Sequence, residues 1–241
     1  VNNGRAPPER AYAETQKKFS GGVAVVVANY TSTAITRVDT GASIDAGMQS
    51  AGSVTVEART FLPYDFPLER YLSLADFFSK AASVLKAVTT WSKAKAAAKE
   101  GAGTGSVSLL TLAPSATTII SSGANINQSA RTTQPGSVVV RAATESQLVN
   151  LIDNPFKLLN LRASKQTAKP SGGGAFSAVY YAAKTTAVVD SGAAVTASTL
   201  AVDATSELTN VSFGIAGSNS SSVSINCVVI YVDVDNTTLA R

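Results

Sequence analysis

The sequence predicts a mainly β chain wound from stacked repeats, a β-solenoid, and three observations carry that prediction. Hydrophobic residues make up 45% of the 241 but aromatics only 7%, so the apolar content is Ala and Val more than large rings. Ser, Thr and Gly fill much of the remainder, a mixture suited to short regular strands and tight turns. Most specific is the third observation, a pattern that occurs three times. T-R-V-D-T-G-A-S-I-D-A-G at 36–47 leads to G-S-V-T-V-E-A-R-T at 52–60, and T-I-I-S-S-G-A-N-I-N-Q-S at 118–129 leads to G-S-V-V-V-R-A-A-T at 136–144. A-V-V-D-S-G-A-A-V-T-A-S at 187–198 leads to T-L-A-V-D-A-T at 199–205.

Along the chain, residues 1–20 read as an N-terminal extension or linker, because G-R-A-P-P-E-R is charged and Pro-rich. A start at Val1 without Met reads as a processed form or an excerpt of something longer. Residues 21–241 then read as the repeats. Each copy is preceded by an apolar run, at 21–30, 105–112 and 173–181, and a fourth run begins at 222–232. Within every copy come an apolar strand, a polar pair, Gly-Ala, a short alternating strand, a turn and a strand of the form V-x-V-x-A. Gly41, Gly123 and Gly192 hold the same place and are predicted to be structural turn residues, since a tight turn between stacked strands favours positive φ or a close backbone approach. The fourth run predicts an interrupted repeat whose exposed last rung needs another segment or subunit to cap it.

The marker glycines lie 82 and then 69 residues apart, more than one rung requires, so sequence is inserted. Inserts are placed at about 61–104 and 145–172, both just after V-x-V-x-A, and therefore on one flank. In the first, Leu68, Tyr71, Leu74, Phe78, Leu85, Val88 and Trp91 recur at helical spacing, with Gly101 as a stop. In the second, E-S-Q-L-V-N-L-I-D and F-K-L-L-N-L-R predict two short helices. Basic residues gather here: Lys80, Lys86, Lys93, Lys95, Lys99, Lys157, Arg162, Lys165 and Lys169. They give the net charge of +4 a location and form a candidate interaction surface for acidic glycans or lipopolysaccharide, against the plainer reading of a solvated helix face. Nucleic acid is disfavoured, because no nucleic-acid motif accompanies the lysines and no aromatics are interleaved for base stacking.

Candidate chemistry is sparse. With no histidine and one cysteine, the chain lacks Ser-His-Asp and Cys-His catalysis, His-ligated zinc and an internal disulfide. Cys227, in the apolar run C-V-V-I-Y, is predicted to be a core residue. V-D-T-G at 38–41 and V-D-S-G at 189–192 resemble aspartic-protease triplets, which would make Asp39 and Asp190 a proton-sharing dyad. The second copy carries Ser121 in that place, so the triplet reads instead as a repeating turn. A glycan-cleaving site would need clustered acids, whereas Asp39, Glu57, Asp190 and Asp203 are scattered. D-V-D-N at 233–236 lacks the glycine and terminal glutamate of a calcium loop and reads as an edge turn. Asn29, Asn127, Asn210, Asn219 and Asn236 open N-x-S/T triplets, which matter only in a glycosylating secretion pathway. No phosphate loop, dinucleotide fingerprint or nucleophile elbow occurs, so neither cofactor nor metal is expected. No apolar run approaches the ~20 residues of a membrane helix, so no transmembrane segment is expected.

The stretches V-V-I-Y-V-D-V-D-N-T-T-L-A-R (228–241), K-T-T-A-V-V-D-S-G-A-A-V (184–195) and T-L-A-V-D-A-T-S (199–206) resemble the repeats of giant secreted bacterial filamentous adhesins, leukotoxin-like and filamentous-haemagglutinin-like. The resemblance covers most of the chain outside the inserts. It implies a right-handed parallel β-solenoid from an extracellular or cell-surface structural protein and not an enzyme; the helical inserts read on one flank depart from that family pattern. The implied partners are adjoining repeats of a longer chain or copies of itself, with surface glycans as a further class. The alternative reading is a carbohydrate-active or carbohydrate-binding β-helix, or the aspartic protease of Asp39 and Asp190.

Overall fold

The computed structural model describes residues 9–14, 19–46, 52–62, 90–97, 101–128, 136–152, 171–214 and 224–241. These residues are mainly β, every strand pairing is parallel, and no helix occurs among them. Twelve strands follow the chain: β1 (Glu9–Glu14), β2 (Phe19–Val38), β3 (Ser43–Ile44), β4 (Val54–Leu62), β5 (Thr90–Ala97) and β6 (Gly101–Ile120). Then come β7 (Asn125–Ile126), β8 (Ser137–Ile152), β9 (Ser171–Val189), β10 (Ala194–Val195), β11 (Thr199–Gly214) and β12 (Ser224–Ala240).

The strands make three sheets, consistent with a parallel β-helix. Sheet I has the order β12-β9-β6-β2, and sheet II has β10-β7-β3. Sheet III has β1-β5-β8-β11, with β4 also beside β8. One rung therefore passes through sheets I, II and III in turn, as in β6, β7 and β8. The sheet I register steps by 82 residues (Phe19 beside Gly101), by 69 (Ala102 beside Ser171) and by 53 (Ser171 beside Ser224). Val54, Val138 and Leu200 share one column of sheet III, and Ala58, Ala142 and Ala204 another, the alignment the repeated V-x-V-x-A implies.

Small side chains make this stack close-packed. Strand alternation sends every second residue inward, and in β4 the pattern is complete, with Val54, Val56, Ala58, Thr60 and Leu62 buried and the intervening residues exposed. One cluster joins all three sheets, combining Ala116 and Ile120 of β6, Ile126 of β7 and Val138, Val140 and Ala142 of β8. A second lies further along sheets I and III, around Leu110, Leu112, Leu148, Val179 and Tyr181. Some buried polar groups bond to one another across the interior: Ser108 Oγ donates to Asn150 Oδ1 at 3.0 Å, and Asn150 Nδ2 donates to Ser177 Oγ. Thr36 Oγ1 donates to Glu57 O (2.7 Å) and Thr118 Oγ1 to Arg141 O (2.6 Å), the same sheet I to sheet III tie made in two successive rungs.

Two predicted helices are strands where the structure describes them. Residues 90–97, the expected end of the first helical insert, form β5, so Trp91, Lys93 and Lys95 lie on a strand that pairs with β1 and with the end of β8. Gly101, the expected helix stop, opens β6, as 101–104 enter sheet I directly. Residues 145–152, read as the first helix of the second insert, continue β8 without interruption and pair through Ile152 with β11. The reason is non-local: a parallel neighbour on each side supplies hydrogen bonds that outweigh a weak helical preference. Leu148, Val149, Asn150, Leu151 and Ile152 are all buried, so neither face shows the alternation that marks a strand. The remainders of both inserts, 63–89, 98–100 and 153–170, lie outside the described residues, as do Leu68, Tyr71, Leu74, Phe78, Leu85 and Val88.

Candidate functional site

The three copies of the turn stack on one another. In each, the residue after the glycine donates its N–H to the residue three before it: Ala42 to Asp39 O (3.0 Å), Ala124 to Ser121 O (3.0 Å) and Ala193 to Asp190 O (3.1 Å). Gly41, Gly123 and Gly192 have φ of 79°, 77° and 90°, in the left-handed region that L side chains avoid, which is why glycine recurs there. Gly41 N–H donates to Gly123 O at 3.0 Å and Gly123 N–H to Gly192 O at 2.9 Å, so the turns form a ladder along the stack.

This ladder decides the geometry of the two aspartates. Strand β7 lies between β3 and β10, and the Ser121 turn lies between those of Asp39 and Asp190. Two steps of ~4.8 Å separate their backbones, too far for the shared proton of a protease dyad. Asp39 instead pairs with Arg37, whose Nε is 2.9 Å from Asp39 Oδ1 and 2.9 Å from Ser121 Oγ. Glu57 and Asp203 are likewise kept apart, since both take Arg141 as register partner in sheet III. Among the described residues no three His, Cys, Asp or Glu side chains gather as a metal site would need. No helix among them is long and apolar enough to cross a membrane, which says nothing of strands.

Of the basic residues proposed as an interaction surface, Lys93 and Lys95 are in β5, whereas Lys80, Lys86, Lys99, Lys157, Arg162, Lys165 and Lys169 lie outside the described residues. Two smaller expectations are corrected. Cys227 is exposed, because alternation in β12 turns it outward in the column of Val23, Gly105 and Gly174. Residues 233–236 are not an edge turn but part of β12.

Sequence reasoning named Asn127 only as the start of an N-x-S triplet and missed its place in the fold. It is buried, has φ 53°, accepts from Ala46 N–H through Oδ1 (2.9 Å) and donates through Nδ2 to Thr196 O (3.1 Å). One side chain therefore ties three rungs together at the corner after sheet II. Asparagine tolerates the left-handed conformation better than other residues with a Cβ, and that was the available signal.

The most exposed part of the stack is its β12 side. Val228, Ile230, Val232 and Val234 occupy the inward columns of sheet I yet remain 39%, 42%, 42% and 49% accessible. In the columns of Val232 and Val234, Leu110 and Leu112 of β6 are fully buried. Among the described residues no strand of sheet II or III continues the rung that β12 begins, so its inner face meets β11 of the preceding rung alone. No protein-family model, curated protein or solved structure matches the chain.

Proposed function

We propose that this chain is a structural module of a secreted or cell-surface bacterial adhesin or filament, in which a right-handed parallel β-solenoid serves as a stiff spacer able to join end to end. The observation that carries the reading is the constant register of sheet I, in which β6 and β9 keep one offset on either side of Ala113 and Pro114, which β9 leaves unpaired. β2 and β6 pair over twenty consecutive positions, and β12 and β9 over seventeen. Such a stack derives its stiffness from hydrogen bonds and nearest-neighbour burial repeated along one axis, and an open end can take another rung. A role of this kind needs a long, regular surface and no catalytic constellation. The separation of Asp39 from Asp190 by the Ser121 turn fits that better than it fits an aspartic protease.

Electron cryomicroscopy of the purified protein tests the proposal. Rungs spaced ~4.8 Å apart and wound right-handedly, with particles joined along that axis, are the expected result. Left-handed winding, or single particles at every concentration, would remove the corresponding part of the reading. A pepstatin-sensitive peptidase activity lost in Asp39→Asn would replace it altogether.

A further inference from the structure

We propose that the outer face of sheet I is an isologous interface, on which a second copy of this chain lies face to face with its strands antiparallel to the first. The inference rests on the fold alone and goes beyond the stiff-spacer reading, because it pairs molecules side by side instead of end to end.

Two features of that face need a cause outside the chain. The first is apolar exposure. Val23, Val25, Val27, Phe176, Tyr180 and Tyr231 all point outward from sheet I and are exposed, Val23 and Val27 to 66% and 71%. For side chains of their size this is roughly 600 Å², at the top of what a soluble monomer shows in one patch and close to the ~800 Å² per partner of a standard interface. The outer face of sheet III is different, for Glu57, Arg141 and Asp203 stand side by side on it.

The second feature is a strip of glycine at the start of the same face. Gly21, Gly103 and Gly172 share one outward column, and Gly105 and Gly174 stand in the next. Nothing within the chain requires glycine at these five places. None of them has positive φ. A Cβ at Gly103 or Gly174 would meet nothing within 4 Å, and at Gly21, Gly105 and Gly172 its nearest neighbours would stand at 4.0, 3.5 and 3.8 Å, which is ordinary contact. Glycine weakens a strand, and where it recurs in a strand interior it marks the close approach of another backbone or a ligand.

The face itself has the shape that fills the strip. A two-fold axis parallel to the stacking axis, laid along the column of Val25, Val107 and Phe176, exchanges the outward columns on either side of it. Tyr180 of one copy then lies over Gly172 of the other, Leu109 over Gly105, and Val27 over Val23. Large side chains meet the glycine strip and the strip meets large side chains, at the ~10 Å separation of packed sheets. Such self-complementarity is what an isologous contact demands. A lipid surface would accept the aromatic rings but gives no reason for the glycines.

Sedimentation velocity of the whole chain over a dilution series, with unfolding followed by circular dichroism, is the test. A closed dimer is expected. Gly172→Val should leave the unfolding temperature unchanged, since the single chain has room for it, yet weaken the dimer at least about tenfold by obstructing Tyr180. Adding Tyr180→Ala to Gly172→Val should recover much of that loss, because the new side chain fills the space the ring leaves. Phe176→Ser, on the axis, should weaken the dimer with no change at any glycine, and Thr117→Lys, outward on sheet I but outside the patch, should leave it intact. A monomer at every concentration, a dimer indifferent to Gly172→Val and Phe176→Ser, or a monomer that binds phosphatidylcholine vesicles through Phe176 would overturn the proposal. Open-ended growth that ignores these variants would uphold the end-to-end reading and overturn this one; a closed dimer that they abolish, with no growth beyond it, would do the reverse.

Discussion

Strands β6 and β12 occupy the same sheet and share their columns, but they live in different surroundings. Leu112 and Val234 stand in one column; the first is fully buried and the second half accessible. Both point inward, and both belong to runs of apolar residues in the sequence. What differs is the neighbourhood among the described residues: β6 has a strand on either side and β8 opposite, whereas β12 has only β9 beside it and no strand opposite in its own rung. In a stacked fold, burial belongs to the rung's neighbours more than to the residue. Stability should therefore be greatest in the middle and fall towards β12.

Urea unfolding followed by circular dichroism would test that gradient most directly. Leu112→Ala removes side-chain volume from a closed interior and is expected to cost ~3 kcal/mol, whereas Val234→Ala in the same column should cost less than ~1 kcal/mol. Equal losses would mean that β12 is covered in solution. The turn ladder offers the next contrast. Gly123→Ala is expected to cost about 2 kcal/mol, because alanine at φ 77° is strained and its Cβ would lie 3.1 Å from Thr40 Cγ2. Gly41→Ala, with nothing within 4 Å of the new Cβ, should cost only the backbone part, about 1 kcal/mol.

Asn127 sharpens the comparison from the middle rung's corner. Asn127→Ala should lose ~1–2 kcal/mol through its two hydrogen bonds, and Asn127→Gly should recover only the conformational share. A full recovery in the glycine variant would mean that the bonds to Ala46 and Thr196 contribute nothing. The smallest effect is expected on the outer face, where Arg59 Nη2 lies 2.6 Å from Glu145 Oε1 and the guanidinium also sits over the Phe61 ring at 4.2 Å. Because both partners are in contact with water, Glu145→Gln should shift stability by under ~1 kcal/mol, and salt should erase the difference.

The rung pattern was legible in the sequence because it is local and repeated. Three glycines at positive φ, each flanked by a polar pair and alanine, announce a backbone demand that other residues meet poorly, and V-x-V-x-A announces alternation. The ends of the rungs were not legible. Residues 145–152 are apolar on both faces, so Leu148, Leu151 and Ile152 satisfy a helical spacing as well as a buried strand. Only pairing with β11, some 62 residues away in register, distinguishes the two. Likewise W-S-K-A-K-A-A in β5 has the composition of a helix, and its strand state depends on Glu9–Glu14 of β1 lying alongside. As for the site, the sequence located the turn, but not which main-chain groups it presents to its neighbours, because hydrogen-bond phase exists only in three dimensions.

The unequal steps of the sheet I register, 82, 69 and 53 residues, also bear on mechanics. If the molecule is pulled along its stacking axis, rungs detach one at a time and each releases the chain stored between equivalent positions. At ~3.5 Å per residue the three releases would be about 290, 240 and 190 Å. A stack built this way would lengthen in distinct increments under load, each release separate from the next.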